Sequence, residues 1–326
     1  MSVSARAIAE KTSYGLVKPV KVVRTAHEKN GSPGGMEGLM PNAYTHQLIA
    51  EDALEEIGGI ADLPSFYLGA QGGDPMFFYR FISMRGGMRP GKLLHRERIY
   101  DTFSAVAETV RTCPECMDYA LGYISHYAAD TVFHPYIYWL AQTKGGTRMD
   151  RNIIHTRAER DLDTYFLFLR GKRMHEYRLP LCRKNIDIHV MYTVMSAALS
   201  VHGVEIAESN IRRALGSYFR FIRNTYDKTG VRRHISDALG KIGIKPFTLL
   251  GALFSRPYYN DKLLNADRNE WYYVSDPSLI LRDSADDLYN RAVKRTVELC
   301  GIFRYCVTQN KPLPEELFSR SFIKGL

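Results

Sequence analysis

His126, Asp130 and His134 stand at successive intervals of four residues. On an α-helix a step of four advances about 400°, so the three side chains share one face with a drift of about 40° per step. His155 and Glu159 repeat the spacing further along the chain. Each pair turns an imidazole nitrogen and a carboxylate oxygen the same way, the mixed N/O donor set that suits zinc and its first-row neighbours. Three more donors lie upstream: His46, Asp74 in the run Gly69-Ala70-Gln71-Gly72-Gly73-Asp74-Pro75, and His95. A lone HxxxD pair is an ordinary local hydrogen bond. Eight donors that take five of the ten histidines between residues 46 and 159 point instead to a metal site. His27, His175, His189, His202 and His234 stand outside the series and read as structural or surface residues.

Positioning these donors falls to helices. Leu48, Ile49, Ala53 and Ile57 make one apolar stripe, with Thr45 expected as the N-cap and Gly58-Gly59 as the stop. Helical periodicity predicts further helices over about 93–111, 115–133, 151–169, 186–202, 205–226 and 284–307. Pro135 biases His134 away from helical geometry, so a kink or helix end is expected there. Residues 66–91, rich in Gly and Pro, read as a long irregular loop of the kind that carries function. Runs of apolar/polar alternation are scarce, and the expected fold class is all-α, a multi-helix bundle. Residues 1–39 read as a flexible N-terminal extension with Asn30-Gly31-Ser32-Pro33-Gly34-Gly35 as linker, residues 40–174 as the metal-binding core, and residues 175–326 as a helical part that completes the bundle or forms a lid.

The chain resembles the zinc-dependent phospholipase C family, which shares its helical fold with the zinc-dependent single-strand nucleases. The resemblance rests on Thr45-His46-Gln47-Leu48-Ile49, Tyr67-Leu68-Gly69-Ala70-Gln71-Gly72-Gly73-Asp74, Leu94-His95, Gly122-Tyr123-Ile124-Ser125-His126-Tyr127-Ala128-Ala129-Asp130, His134-Pro135, and His155 through Glu159, in the family's order over about residues 40–170. It implies one to three zinc ions. Asp74, His95, His126 and Asp130 would hold the first, and His134, His155 and Glu159 the second. Asp130 would bridge to a third shared with His46. It implies hydrolysis of a phosphodiester, phospholipid included, by a metal-activated water, with Asp74 acting as or orienting the general base. A nuclease or nucleotidase on the same scaffold, or a non-catalytic metal-binding relative that binds lipid or protein, is the alternative.

The chain departs from the family's pattern at two points. The interval from Asp130 to His134 is two residues shorter than in the secreted enzymes, and no tryptophan supplies the N-terminal donor of the third metal. A bacterial start at Met40, with methionine removed to expose the Pro41 nitrogen, would place an N-terminal donor near His46.

Composition narrows the partners. The 326 residues carry a formal net charge of +9, and 45% of them are hydrophobic. These figures exclude intrinsic disorder, and the apolar runs are too short for a membrane span. Residues 1–39 hold six Lys/Arg and three acids, so the remaining excess is thinly spread and does not demand a nucleic-acid partner. Five cysteines fit a reducing compartment, and with no apolar leader the expected location is cytoplasmic. Residues 212–233 carry Arg212, Arg213, Arg220, Arg223, Lys228, Arg232 and Arg233 among Tyr218, Phe219, Phe221 and Tyr226. They read as a solvated basic face, or as a peripheral membrane contact. Cys113-Pro114-Glu115-Cys116 reads as a helix start, since no second pair completes a zinc knuckle.

Overall fold

The computed structural model describes residues 42–79, 89–177, 186–242, 245–322 and 325. The expected extension 1–39, its linker and the Met40-Pro41 start lie outside the described residues. Within them the molecule is all-α apart from a two-stranded hairpin.

The helix α5 (Met117–Lys144) is the axis of the fold. From Asp118 to Phe133 every side chain of it is buried, so it is enclosed on all sides rather than amphipathic. Around it lie α1 (Ala43–Ile57), α2 (Leu63–Gly69), α6 (Arg148–Leu169) and α11 (Ala285–Thr308). The crossing of α2 over α5 is a backbone contact. A Cβ placed on Gly69 would meet the Tyr119 carbonyl oxygen at 2.1 Å, and one on Gly122 would meet the Phe66 oxygen at 2.0 Å. No larger residue allows that approach, and it delivers the chain leaving α2 directly onto α5.

The outer elements are α3 (Arg89–Arg96), α4 (Ile99–Thr112), α7 (Ile188–Ser200), α8 (Glu208–Thr225), α9 (Val231–Lys241), α10 (Lys245–Leu253) and the short α12 (Glu315–Phe318). Both α6 and α11 begin with a reciprocal capping box, Thr147 with Asp150 and Ser284 with Asp287. The strands β1 (Trp271–Tyr273) and β2 (Asp276–Leu281) pair antiparallel. Trp271 is fully buried against Tyr136, which anchors the hairpin to α5.

The structure corrects four local expectations. The stretch 66–91 is not one loop: α2, a 3₁₀ turn Asp74–Phe78 and the start of α3 occupy most of its described part. The helix expected over 93–111 is two helices, broken at Arg98, whose φ of 47° no helix accommodates. The first helix begins at Ala43, and Thr45 lies inside it, its N–H and hydroxyl both donating to Asp163 Oδ1 at 2.8 Å. A buried carboxylate from α6 thus takes the capping role the local sequence seemed to assign to Thr45. Finally, of the kink or helix end expected at Pro135 the helix end is absent, since α5 runs on to Lys144. Proline removes one hydrogen bond of the ladder, and burial of the surrounding turns outweighs it.

Candidate metal centre

All eight donors named from the sequence lie in one cluster. His46 comes from the first turn of α1, Asp74 opens the 3₁₀ turn after α2, and His95 is the penultimate residue of α3. His126, Asp130 and His134 descend one face of α5, and His155 and Glu159 face them from α6. His46, Asp74, His95, His126, Asp130 and Glu159 are all buried, while His134 and His155 are partly exposed.

Asp130 is the centre of the arrangement. Its Oδ1 lies 3.3 Å from His46 Nε2 and 3.7 Å from His134 Nε2. Its Oδ2 lies 3.3 Å from His126 Nε2 and 3.9 Å from His95 Nε2. Asp74 Oδ1 is 3.4 Å from His95 Nε2 and 4.0 Å from His126 Nε2. At the other end Glu159 Oε1 is 3.3 Å from His134 Nε2 and 3.1 Å from His155 Nε2. Three groups of mutually close donors result: His46, His126 and Asp130; Asp74, His95 and His126; His134, His155 and Glu159.

These spacings fit a metal. Zinc bonds of about 2.0–2.1 Å in a tetrahedron set donors about 3.3 Å apart, and the closest pairs here stand 3.1–3.4 Å apart. The tautomers agree. His95 Nδ1 meets the Gly91 carbonyl oxygen at 2.7 Å and His134 Nδ1 meets that of Phe322 at 2.8 Å. A carbonyl only accepts, so each Nδ1 carries a proton and each Nε2 is turned to the cluster, the nitrogen that metal-binding histidines offer. His95 Nε2 therefore faces His126 Nε2 at 3.2 Å and the Asp74 carboxylate at 3.4 Å. Three atoms that can bind a cation converge there. Glu159 Oε2 and the Nδ1 atoms of His46 and His126 are buried without a hydrogen-bond partner.

Electrostatics without an ion show how closely charge is gathered. Burial alone would lower the pKa of His134, but the charge of Asp130 and the hydrogen bond and charge of Glu159 overcome it and raise it to about 9. His46 is also raised, burial being overcome by its bond to Asp130. His126 is held well below the ordinary value, chiefly by burial. Burial would raise Asp130, but the charges of His134 and His126 hold it well below the usual carboxylate range. Burial raises Asp74, against the hydrogen bond from His95.

Residues 45–200 match the sequence profile of a family described as zinc dependent phospholipase C, just under half of the chain. This segment belongs to the zinc-dependent phospholipase C family. Zinc is accordingly the metal of the protein, and the buried imidazole and carboxylate donors suit it. No curated protein and no solved structure matches the chain. Among the described residues no helix is long and apolar enough to cross a membrane.

Seven of the eight donors, all but His126, form the floor of a cavity of about 590 Å³. Sequence reasoning missed its walls. Lys92 and Arg96 line it from α3, and Arg148, Arg151 and Asn152 from α6. The signal was present, because Arg148, Arg151, His155 and Glu159 fall at i, i+3, i+7 and i+11, one stripe of a helix. Phe322 was also missed. Besides its carbonyl on His134, its ring lies 5.0 Å from that of His95 and 6.0 Å from that of His126. The basic stretch 212–233 stands elsewhere. Tyr218 is buried and donates to Gln71 Oε1 at 2.5 Å, Arg233 pairs with Asp161 at 3.2 Å, and Arg212 pairs with Glu208 at 2.8 Å. Cys113 and Cys116 flank the start of α5, sulfur to sulfur 3.4 Å, with burial pushing the Cys116 thiol up to about 12. Of the other histidines, His175, His189 and His234 are exposed and His202 is half-buried.

Proposed function

We propose that the protein is a zinc-dependent phosphodiesterase of the phospholipase C type, and that His46, Asp74, His95, His126, Asp130, His134, His155 and Glu159 hold its metal ions. The observation that carries the reading is the spacing of the donors, set at tetrahedral-edge distances along the floor of one open cavity. Asp130 offers both oxygens to different histidines and suits a bridging role, while Glu159 joins the two histidines at the other end. Zinc bound there supplies Lewis acidity toward phosphoryl oxygens and toward water.

The protein's own groups supply orientation. The backbone carbonyls of Gly91 and Phe322 hold two imidazoles by Nδ1 with Nε2 turned toward the position of the ion. Asp74 faces the cavity from the floor and is the group placed to orient an attacking water and take its proton at a carboxylate oxygen. The cationic walls hold the charged substrate against that floor.

The test combines metal analysis of the purified protein with turnover of bis-p-nitrophenyl phosphate and p-nitrophenylphosphorylcholine. At least one equivalent of zinc with turnover of either supports the reading. Less than one equivalent with turnover of neither overturns it. Full zinc without turnover leaves the metal assignment standing and identifies a non-catalytic relative.

A further inference from the structure

Away from the metal centre, two thiols stand within reach of each other. Cys113 closes α4 and Cys116 precedes α5, and the Cys116 N–H donates to the Cys113 carbonyl oxygen at 3.0 Å. A four-residue turn closed in this way holds its end Cα atoms within about 7 Å, and a disulfide spans about 4.4–6.8 Å. The two sulfurs are 3.4 Å apart, so a bond between them calls for side-chain rotation rather than movement of the helices. The thiols differ in access. Thr112, Pro114 and Glu115 are exposed with Cys113 half-buried among them, whereas Cys116 is fully buried. The Glu115 carboxylate pushes the Cys113 thiol up and burial pushes that of Cys116 up, so both are protonated at neutral pH and the pair reacts slowly there. Cys300 makes the contrast, fully buried with its thiol donating to the Leu121 carbonyl oxygen at 3.4 Å.

We propose that Cys113 and Cys116 form a reversible dithiol–disulfide site that exchanges with small disulfides of the glutathione type. The Cys113 sulfur gives up its proton to solvent and attacks one sulfur of the small disulfide, whose S–S bond breaks and releases one thiol. The Cys116 sulfur, next to it, then loses its proton, attacks the Cys113 sulfur and displaces the second small thiol. Two protein thiols are oxidised to one disulfide, and the small disulfide is reduced to two thiols that carry the two protons. The bridge ties the end of α4 to the start of α5, the helix that bears His126, Asp130 and His134. His126 lies ten residues beyond Cys116, about 15 Å along the axis, so the bridge closes without touching the donors.

The test exposes the zinc-loaded full chain to glutathione disulfide, quenches with acid and blocks the remaining thiols with N-ethylmaleimide. Mass analysis then reads the tryptic peptide 112–144, which holds both cysteines. That peptide is expected to be two hydrogens lighter and to take no maleimide, while the protein keeps its zinc. Reduction with tris(2-carboxyethyl)phosphine should restore both labels. Cys116→Ala should stop at the first step and carry glutathione on Cys113. Cys113→Ser should leave Cys116 reduced in its buried position. Two labels on the peptide of the parent chain after prolonged exposure overturn the proposal, and so does glutathione held on its Cys113 without closure. Thiols that take the label only after a chelator is added overturn it too, because they would be zinc ligands instead.

Discussion

Gly72 is where the fold and the chemistry of the cluster touch most closely, and Gly72→Ala tests whether that contact sets the metal geometry. A Cβ at this position would lie 2.1 Å from His126 Cδ2 and 2.3 Å from Cγ, on a backbone with φ of 54°. Ordinary carbon contacts begin near 3.5 Å, so the ring or the loop must shift by about 1.5 Å. His126 has little room to give way, being 1% exposed with the His46 ring 4.2 Å from its own. Left-handed backbone strain adds about 1–2 kcal/mol for alanine and overpacking about 1–3 kcal/mol, so a loss of about 2–5 kcal/mol is expected. The chemical effect is larger than the stability effect, because donor distances tolerate only about 0.2 Å. The variant should lose at least one equivalent of zinc, and turnover of bis-p-nitrophenyl phosphate should fall by about 100-fold or more. Gly171→Ala is the control: φ there is 63°, yet nothing lies within 4 Å of the added methyl. It should cost only the backbone strain and keep its zinc. A Gly72→Ala protein with full zinc and turnover within twofold of the parent would refute the claim that this loop seats His126.

Three further outcomes follow from the same geometry. His126→Ala, which removes a donor common to two of the three groups, should lose zinc and turnover together; retained zinc would show that the ligand assignment is wrong. In chelator-treated protein, His134 at about 9 stabilises the fold fully below its unfolded value of about 6.5, and that stabilisation, about 3 kcal/mol, is lost as pH rises through 9. His46 is shifted the same way, and His126 the opposite way with its effect confined to lower pH. Thermal midpoints of the metal-free chain should therefore fall from pH 6.5 to 9, and a flat profile would contradict the charge pairing around Asp130. Phe322→Ala empties a fully buried ring that also packs on Tyr127 at 4.8 Å; denaturant unfolding should show a loss of about 3–5 kcal/mol, and an unchanged midpoint would place that ring outside the core.

How much could be read from the residues depended on distance along the chain. His126, Asp130, His134, His155 and Glu159 were legible because helical spacing alone sets each group on one face. Most of the long helices followed from apolar period with ends within a few residues, while α9 and α10 went unread and α5 runs eleven residues past its expected end. Reading failed where a partner remote in sequence decides the local structure. Thr45 gave way as N-cap because Asp163, 118 residues on, takes its N–H. Pro135 failed to end α5 because the enclosing core holds the helix together. The break at Arg98 has no proline or glycine to announce it. The small hairpin went unread because β1 is three residues long, and its anchor, Trp271, is set by a helix more than a hundred residues earlier.

The bond from His134 to the Phe322 carbonyl spans 188 residues. Every donor side chain lies between residues 46 and 159, while the acceptor that orients one of them lies at residue 322. A chain folding from its amino end can gather the imidazoles early, but His134 lacks this acceptor until residue 322 has been made. A fragment ending before that point would lack the carbonyl that orients His134, and an ion at that end of the cluster would be held more weakly.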